Sequence, residues 1–238
     1  MAVGFLTSKI LLISSFLILD FGSSQNIFPC YFNPMCSCKM VGPNLDYIQD
    51  VSCVNIPFAK IPNIPSTSIS HMDIVNSITE VLDEESFGNS QIESLRLMNN
   101  KIRKISPQTF RNMRSVIRSL DLSYNELAGV PGEAFNQLTS LDWVNFHSNH
   151  IDQLDANDWI SLQESLTTIF LGENDLTSLP PGLFTRFKFL KWLNLDNNHL
   201  QTVNSDTLPV TLQTLSLANN LLREIPIKAI KNLRSLTW

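Results

Sequence analysis

The sequence predicts an α/β repeat solenoid, a curved stack of coils with a parallel concave β-sheet and a disulfide-bonded cap at its N-terminal end. Two observations predict this fold. An apolar motif recurs about every 24 residues between residues 69 and 235, and four cysteines lie together just before its first copy. Stacked copies of a short unit bury a continuous core, and such a stack needs caps at its ends.

The composition indicates a folded chain without a nucleic-acid footprint. The 238 residues include 17 Lys plus Arg against 22 Asp plus Glu, a formal net charge of -5. This balance offers no basic surface to nucleic acid. Hydrophobic residues make up 43% of the chain, which is enough for a sizeable core. The longest apolar run is shorter than the roughly 20 residues that a membrane-spanning helix needs.

That apolar run belongs to a predicted secretory signal peptide over residues 1–24. A single positive charge precedes the apolar block Ile10–Leu19, and the small residues Gly22–Ser24 follow it. This order is typical of a signal peptide, and we expect cleavage before Gln25. The alternative is a buried N-terminal helix, which would show a polar face with a period of 3.6 residues. The block contains only two serines as polar residues, so a signal peptide is the better interpretation.

The four cysteines predict a disulfide-bonded cap over residues 25–68. Cys30, Cys36, Cys38 and Cys53 fall within 24 residues. An even, clustered set in a secreted chain indicates two disulfides, for which three pairings are possible. A zinc site is the alternative, but the spacing C-x5-C-x-C-x14-C lacks the paired C-x2-C elements that such sites favour.

The repeat is visible as six clear copies of the motif L-x-x-L-x-L-x-x-N-x-L. Their first positions are separated by 25, 24, 25, 24 and 22 residues and are Ile92, Ile117, Leu141, Leu166, Leu190 and Leu212. Apolar residues also recur thirteen and eighteen residues after each first position. A degenerate earlier copy starts at Ile69, with Ser77 in place of the asparagine. These seven copies fill residues 69–235.

This pattern resembles the leucine-rich repeat in its extracellular form of about 24 residues, which implies a horseshoe-shaped solenoid. Apolar residues at positions one, four and six of each copy alternate with polar ones, so one side of a short strand faces the core. We expect the asparagine at position nine to satisfy buried backbone groups in the turn after the strand. This structural ladder comprises Asn100, Asn125, Asn149, Asn174, Asn198 and Asn220.

Large side chains at position nineteen predict a core spine at the back of the coils, where we expect no regular strand. The aromatic members of this spine are Phe110, Phe135, Trp159 and Phe184.

The cysteine-rich segment resembles the N-terminal flank of extracellular leucine-rich repeat proteins. In that family the first cysteine pairs with the third and the second with the fourth, which implies the disulfides Cys30–Cys38 and Cys36–Cys53. Asn33–Cys38 and Cys53–Phe58 are most similar to the flank of the chaoptin-like adhesion proteins of insects. That resemblance implies a protein on the outer face of the plasma membrane, often lipid-anchored, that joins cells or membranes.

The C-terminal end departs from that family, whose members carry many more repeats. Residues 236–238 start an eighth repeat that stops after three residues. We therefore expect this chain to be the N-terminal piece of a longer protein or an incomplete gene product. Membrane attachment is expected only through a C-terminal segment beyond Trp238.

The sequence offers no catalytic, cofactor or metal motif. No nucleophile elbow, zinc-protease motif, phosphate loop, calcium loop or dinucleotide fingerprint is present. His147 and His150 are expected to point apart because a turn separates them, which disfavours a metal pair. Asp152, Asp155 and Asp158 cluster in one loop, for which solvated carboxylates are a better interpretation than calcium. We therefore predict a protein that is not an enzyme and holds no cofactor or metal.

The predicted functional surface is the concave face of the sheet. Three tryptophans share position three on alternate strands, and exposed aromatic clusters are typical of binding surfaces. In the alternative interpretation, these tryptophans pack only on neighbouring side chains or are covered by another part of the protein. The candidate partner-binding residues are Tyr124, Trp143, His147, Phe170, Trp192, Asp196 and Trp238.

These observations predict a protein-binding module for cell-surface adhesion or recognition, either secreted or on the extracellular face of the plasma membrane. The partner is expected to be a protein, either a different one or a second copy of this chain, and not a nucleic acid. The alternatives are a secreted matrix protein with the same fold and an innate-immune, Toll-like receptor ectodomain.

Overall fold

The computed structural model describes residues 26–136 and 138–237. The predicted signal peptide, residues 1–24, and Trp238 therefore lie outside the described residues. Twelve strands are present in these two ranges: β1 (Ile27–Cys30), β2 (Asn33–Val41), β3 (Tyr47–Val54), β4 (Ser68–Val75), β5 (Val81–Leu82), β6 (Gln91–Arg96), β7 (Lys104–Ile105), β8 (Ser119–Asp121), β9 (Trp143–Asn145), β10 (Thr168–Phe170), β11 (Trp192–Asn194) and β12 (Thr214–Ser216).

Ten of these strands form one sheet in the order β1-β2-β3-β4-β6-β8-β9-β10-β11-β12. The first three strands are antiparallel, and every pairing from β3 onward is parallel. This parallel sheet is the concave face of a solenoid of about seven turns. The predicted fold class is therefore confirmed.

The repeat period sets the register of the sheet. Val144 at the centre of β9 lies opposite Leu120 on one side and Ile169 on the other. All three side chains are fully buried, whereas the residues that flank them in their strands are partly exposed. Because side chains alternate along a strand, each short strand contributes its central residue to the core and its two flanking residues to the concave surface.

The position-nine asparagines fasten each coil to its neighbours. The Asn149 side-chain amide donates to the carbonyl oxygens of Leu122 and Phe146, both at 3.0 Å, and its Oδ1 accepts from the Leu127 backbone N–H at 3.0 Å. Asn125, Asn174, Asn198 and Asn220 repeat this arrangement. Asn100 donates in the same way. Its Oδ1 finds no donor among the described residues, which marks Asn100 as the start of the ladder.

An aromatic spine runs through the core behind the sheet. Neighbouring rings, from the same coil or from adjacent coils, have centroid distances of 5.9 to 6.2 Å. The spine contains the four predicted residues together with Phe87, Phe146 and Phe187, all of them buried.

Short helices and one small sheet complete the connections between the concave strands. The helices are α1 (Gly132–Phe135), α2 (Ile227–Ile230) and the 3-10 helices Ala156–Leu162 and Phe184–Arg186. β5 and β7 pair in parallel, with Leu82 opposite Ile105. These two short strands form where extended segments of adjacent coils meet in register. They come before position nineteen, whose residues lie in no strand. No helix among residues 26–136 and 138–237 is long and apolar enough to cross a bilayer.

The N-terminal cap continues the concave sheet. Disulfides join Cys30 to Cys38 and Cys36 to Cys53, across eight and 17 residues of sequence. β3 pairs in parallel with β4, which places Cys53 opposite Ile74. The cap thus supplies an extra parallel strand, and its antiparallel hairpin covers the core at that end.

The degenerate first repeat keeps the register with different side chains. Ser77 Oγ accepts from the Phe58 backbone N–H at 2.8 Å and donates to the Phe58 carbonyl at 3.2 Å. Thr79 Oγ1 donates to the same carbonyl at 2.9 Å. A serine and a threonine thus satisfy the buried backbone of the cap where the other coils use an asparagine.

Candidate functional site

The concave surface is built from the outward residues of the short strands. At position three, Trp143, Thr168, Trp192 and Thr214 lie opposite one another on β9 to β12. Trp192 is 51% exposed, and Trp143 is half-buried. Part of the Trp143 ring is covered by Phe170, whose centroid lies 5.7 Å away.

Phe170 occupies position five of its strand, where the equivalent residues of neighbouring strands accept a backbone hydrogen bond. On β8, β9 and β11 the position-five residue is Asp121, Asn145 or Asn194, whose Oδ1 accepts from the backbone N–H two residues later at 2.9 to 3.1 Å. Such Asx turns close the strand end. Phenylalanine cannot accept this bond, and Phe170 contacts Trp143 instead. The Trp143–Phe170 pair is therefore an addition to the repeat rather than part of its turn chemistry.

A second row of residues, at position eight, adopts left-handed backbone conformations. The row comprises Asn55, Asn76, Asn99, Tyr124, Ser148, Glu173, Asn197 and Asn219, with φ between 51° and 60°. Asparagine tolerates this region best among non-glycine residues. Neighbouring asparagines in the row are also bridged by side-chain hydrogen bonds of 2.6 to 2.8 Å. Sequence reasoning missed this exposed ladder, although Asn-Asn pairs at residues 99–100, 197–198 and 219–220 were its signal.

The exposed ladder is interrupted in the central repeats, where Tyr124, Ser148 and Glu173 replace asparagine. The Tyr124 ring packs edge-on against His147 at a centroid distance of 5.4 Å. Glu173 Oε2 accepts from Ser148 Oγ at 2.5 Å and lies 3.5 Å from His147 Nε2. These four side chains form a polar and aromatic cluster at one edge of the concave face.

Gly172 lies against the His147 side chain of this cluster and against Asn194 on β11. A Cβ atom at residue 172 would lie 2.5 Å from Asn194 Oδ1 and 3.0 Å from His147 Nδ1, so a larger residue there would displace these side chains. Asp196 lies beyond them, and its carboxylate is used within the fold. It accepts from Asn194 Nδ2 at 3.0 Å and from the Ala218 backbone N–H at 2.8 Å.

The structure thus brings together Trp143 with Phe170 and Tyr124 with His147, and it places Trp192 on the same face two strands after Trp143. Asp196 acts mainly as a turn residue, and Trp238 lies outside the described residues. We call Tyr124, Trp143, His147, Phe170 and Trp192 the central patch.

A groove adjoins the central patch on the N-terminal side of Trp143. It has a volume of about 550 Å³ and is lined by residues 50–52, 71, 73, 94–96, 119, 121 and 143. Asp50 accepts from His71 Nδ1 at 3.0 Å, and Asp73 pairs with Arg96 through two bonds of 2.6 and 3.1 Å. The hydrogen bond from Arg96 to Asp73 raises the pKa of the guanidinium, which stays charged. Sequence reasoning missed this N-terminal groove because its residues come from the cap, the degenerate copy and three further coils.

The acidic loop on the far side of the coils contains Asp155 and Asp158, close to Glu133. Burial raises the pKa of Asp158, and the neighbouring carboxylates of Asp155 and Glu133 add to this effect. Asp155 begins the 3-10 helix, because its side chain accepts from the Asn157 backbone N–H at 2.8 Å. Within the described ranges, no group of three or more His, Cys, Asp or Glu residues is arranged to hold a metal ion.

Comparison with known proteins supports the same fold. Leucine-rich repeat family models match residues 115–164, 164–208 and 211–233. Tsukushi of Mus musculus is 26% identical over 59% of this chain and 40% of its own length, and chaoptin of Drosophila melanogaster is 27% identical over 48% and 8%. A crystal structure of a TLR13–ssRNA13 complex superposes with a TM-score of 0.63 and 26% identity over 71% of this chain and 24% of that chain.

The chain spans less than half the length of each of these proteins. Chaoptin matches no better than Tsukushi, so the comparisons support the repeat class rather than a chaoptin-like subfamily. The repeat register, the asparagine ladder and the family matches agree that the chain contains leucine-rich repeats and has their fold.

Proposed function

We propose that this protein is a non-catalytic extracellular module that binds a protein partner on the central patch of its concave face. The observation that carries this proposal is the convergence of three departures from the repeat pattern on one patch. Phe170 replaces an Asx-turn residue, Tyr124 replaces an asparagine of the exposed ladder, and Trp192 leaves half of its side chain in solvent.

None of these side chains is explained by the stability of the fold. A bulky residue with positive φ is strained, and strained residues cluster at functional sites. Exposed tryptophan and tyrosine are enriched among the residues that dominate protein–protein binding. A patch that keeps such residues where the repeat favours Asn, Asp or Thr supports a role in recognition.

The charge of the concave face supports a protein partner rather than a nucleic acid. The TLR13 structure contains single-stranded RNA, but here three aspartates line the groove beside the central patch, and the whole chain has a net charge of -5. Phosphate groups would be repelled by such a surface. The disulfides support an extracellular location, and the likeness to chaoptin favours cell-surface adhesion or recognition within the binding class.

The proposal predicts that Trp143→Ala combined with Trp192→Ala weakens partner binding while the protein still folds. The partner is found by screening the labelled chain against an array of recombinant ectodomains that includes this chain itself. We expect at least about a thirtyfold rise in Kd for the double variant, because even one buried tryptophan anchor contributes about 2 kcal/mol or more. Thermal unfolding should remain near that of the wild type, because neither indole belongs to the buried core.

Phe189→Ala is the matched control for this experiment. Phe189 is as exposed as Trp192, at 51%, but lies outside the concave strands, so its loss should leave Kd unchanged. If the double tryptophan variant binds with the wild-type Kd, the concave-face proposal is wrong.

A further inference from the structure

We propose that the N-terminal groove receives an arginine side chain of the protein partner, held between the Trp143 indole and the Asp121 carboxylate. This inference rests on the proposed function, since it specifies the chemistry of the partner at the edge of the same concave face. Three features of the groove lead to it: its shape, its unused acceptor and its aromatic wall.

The shape of the groove arises from two small residues in a row of larger ones. Ser94 on β6 lies opposite Ser119 on β8, which in turn lies opposite Trp143 on β9. On the other side of Ser94 the row continues with His71 on β4. The two serines therefore leave a gap between an imidazole and an indole, and the groove of about 550 Å³ has room for one long side chain.

The charges along the groove favour a cation. Asp50, Asp73 and Asp121 line it against the single guanidinium of Arg96. His71 forms a hydrogen bond with Asp50, and Arg96 donates hydrogen bonds to both carboxylate oxygens of Asp73. Lys39, just outside the groove, lies 3.5 Å from Asp50. Two of the three carboxylates therefore already have partners within the protein.

Asp121 is the carboxylate that can accept further hydrogen bonds. Its Oδ1 accepts from the Ser123 backbone N–H at 3.0 Å and from Ser123 Oγ at 2.6 Å. Among residues 26–136 and 138–237, no hydrogen bond reaches its Oδ2, although Arg96 lies opposite Asp121 on β6 and its guanidinium attracts this carboxylate electrostatically. An ionised carboxylate has about four acceptor sites, so Asp121 can still accept hydrogen bonds from a ligand.

The aromatic wall distinguishes arginine from other cations. Trp143 lies opposite Ser119, and Asp121 is two residues further along the same face of β8. An indole and a carboxylate thus border one space. A planar guanidinium stacks on the face of tryptophan and donates in-plane hydrogen bonds to a carboxylate at the same time.

The test uses two peptides, acetyl-Gly-Arg-Gly-amide and the same peptide with citrulline, the uncharged analogue of arginine. Each is titrated into the full chain while NMR follows the Trp143 indole N–H signal, assigned with Trp143→Phe. We expect the arginine peptide to shift this signal, with an affinity that falls as salt is raised, and the citrulline peptide to leave it unchanged.

Asp121→Asn removes the charge and keeps the turn, because Asn145 and Asn194 make the same Asx bond on neighbouring strands. We expect this variant to bind the arginine peptide about tenfold more weakly. Ser119→Leu should fill the gap and block the shift, and the fold tolerates bulk there because Trp143 and Trp192 occupy the same column. Asp175→Asn, at an exposed carboxylate outside the groove, is the control and should bind like the wild type.

An equal shift with citrulline, unchanged affinity in Asp121→Asn, or a larger Trp143 shift with a 13-nucleotide single-stranded RNA would overturn the arginine site. The proposed function is judged separately, by binding of the double tryptophan variant to an array partner. If that variant loses the partner while the arginine peptide fails to bind, only the arginine inference is wrong.

Discussion

Asn149→Ala is expected to lower the free energy of unfolding by about 2 to 3 kcal/mol and to reduce the secreted yield. Asn149 is 5% exposed, and its side chain satisfies two carbonyl oxygens and one N–H group of adjacent coils. Alanine leaves these groups buried without partners, and each unsatisfied group costs about 1 to 3 kcal/mol before the coils relax. Urea unfolding of the purified chain measures the effect.

His150→Ala is the control for this variant. His150 is the next residue, its side chain is exposed, and its nearest charged partner, Asp175, lies 3.9 Å away. Its loss should leave the unfolding midpoint within error of the wild type. A wild-type midpoint for Asn149→Ala would show that the ladder does not stabilise the coils.

The second large effect is expected from Cys36→Ser combined with Cys53→Ser. The disulfide joins β2 to β3, the strand through which the cap pairs with the first coil. Removing a link across 17 residues frees the unfolded chain and should destabilise the cap by about 3 kcal/mol. Limited proteolysis should then cut the segment before residue 68 first, because the cap contacts only the first coils.

Cys30→Ser combined with Cys38→Ser provides the comparison. That disulfide spans eight residues, so its loss frees less chain entropy and should destabilise the cap less. If the Cys36 and Cys53 variant unfolds and is cleaved like the wild type, the cap does not depend on the Cys36–Cys53 disulfide.

The repeated part of the fold could be predicted because its physics is local. The apolar residue at position four packs into the core of each coil for the same reason, and a period of 22 to 25 residues fixes which residues meet across the sheet. The predicted alignment of Trp143 with Trp192 follows from this register, and the structure places them on β9 and β11 as expected.

The other parts of the fold and of the site could not be predicted, because they depend on contacts that do not follow from the repeat period. Ser77 looked like a defect of the motif, yet it satisfies Phe58 in the cap, a segment without a repeat. Asp50 lies in the cap, so its place beside His71 could not be read from the repeat register. Asp196 looked like a free surface carboxylate because its partners, Asn194 and Ala218, are found only once the turn is built.

The central claim, that the central patch is the binding surface, is tested most directly by hydroxyl-radical footprinting of the chain with its array partner. This method reads the exposure of aromatic side chains in one sample. The account predicts slower oxidation of Trp192 and Tyr124, which are 51% and 47% exposed in the free chain, with no change at Phe189 and Tyr31, at 51% and 73%. Protection of Phe189 or Tyr31 with unchanged oxidation of Trp192 and Tyr124 would contradict it.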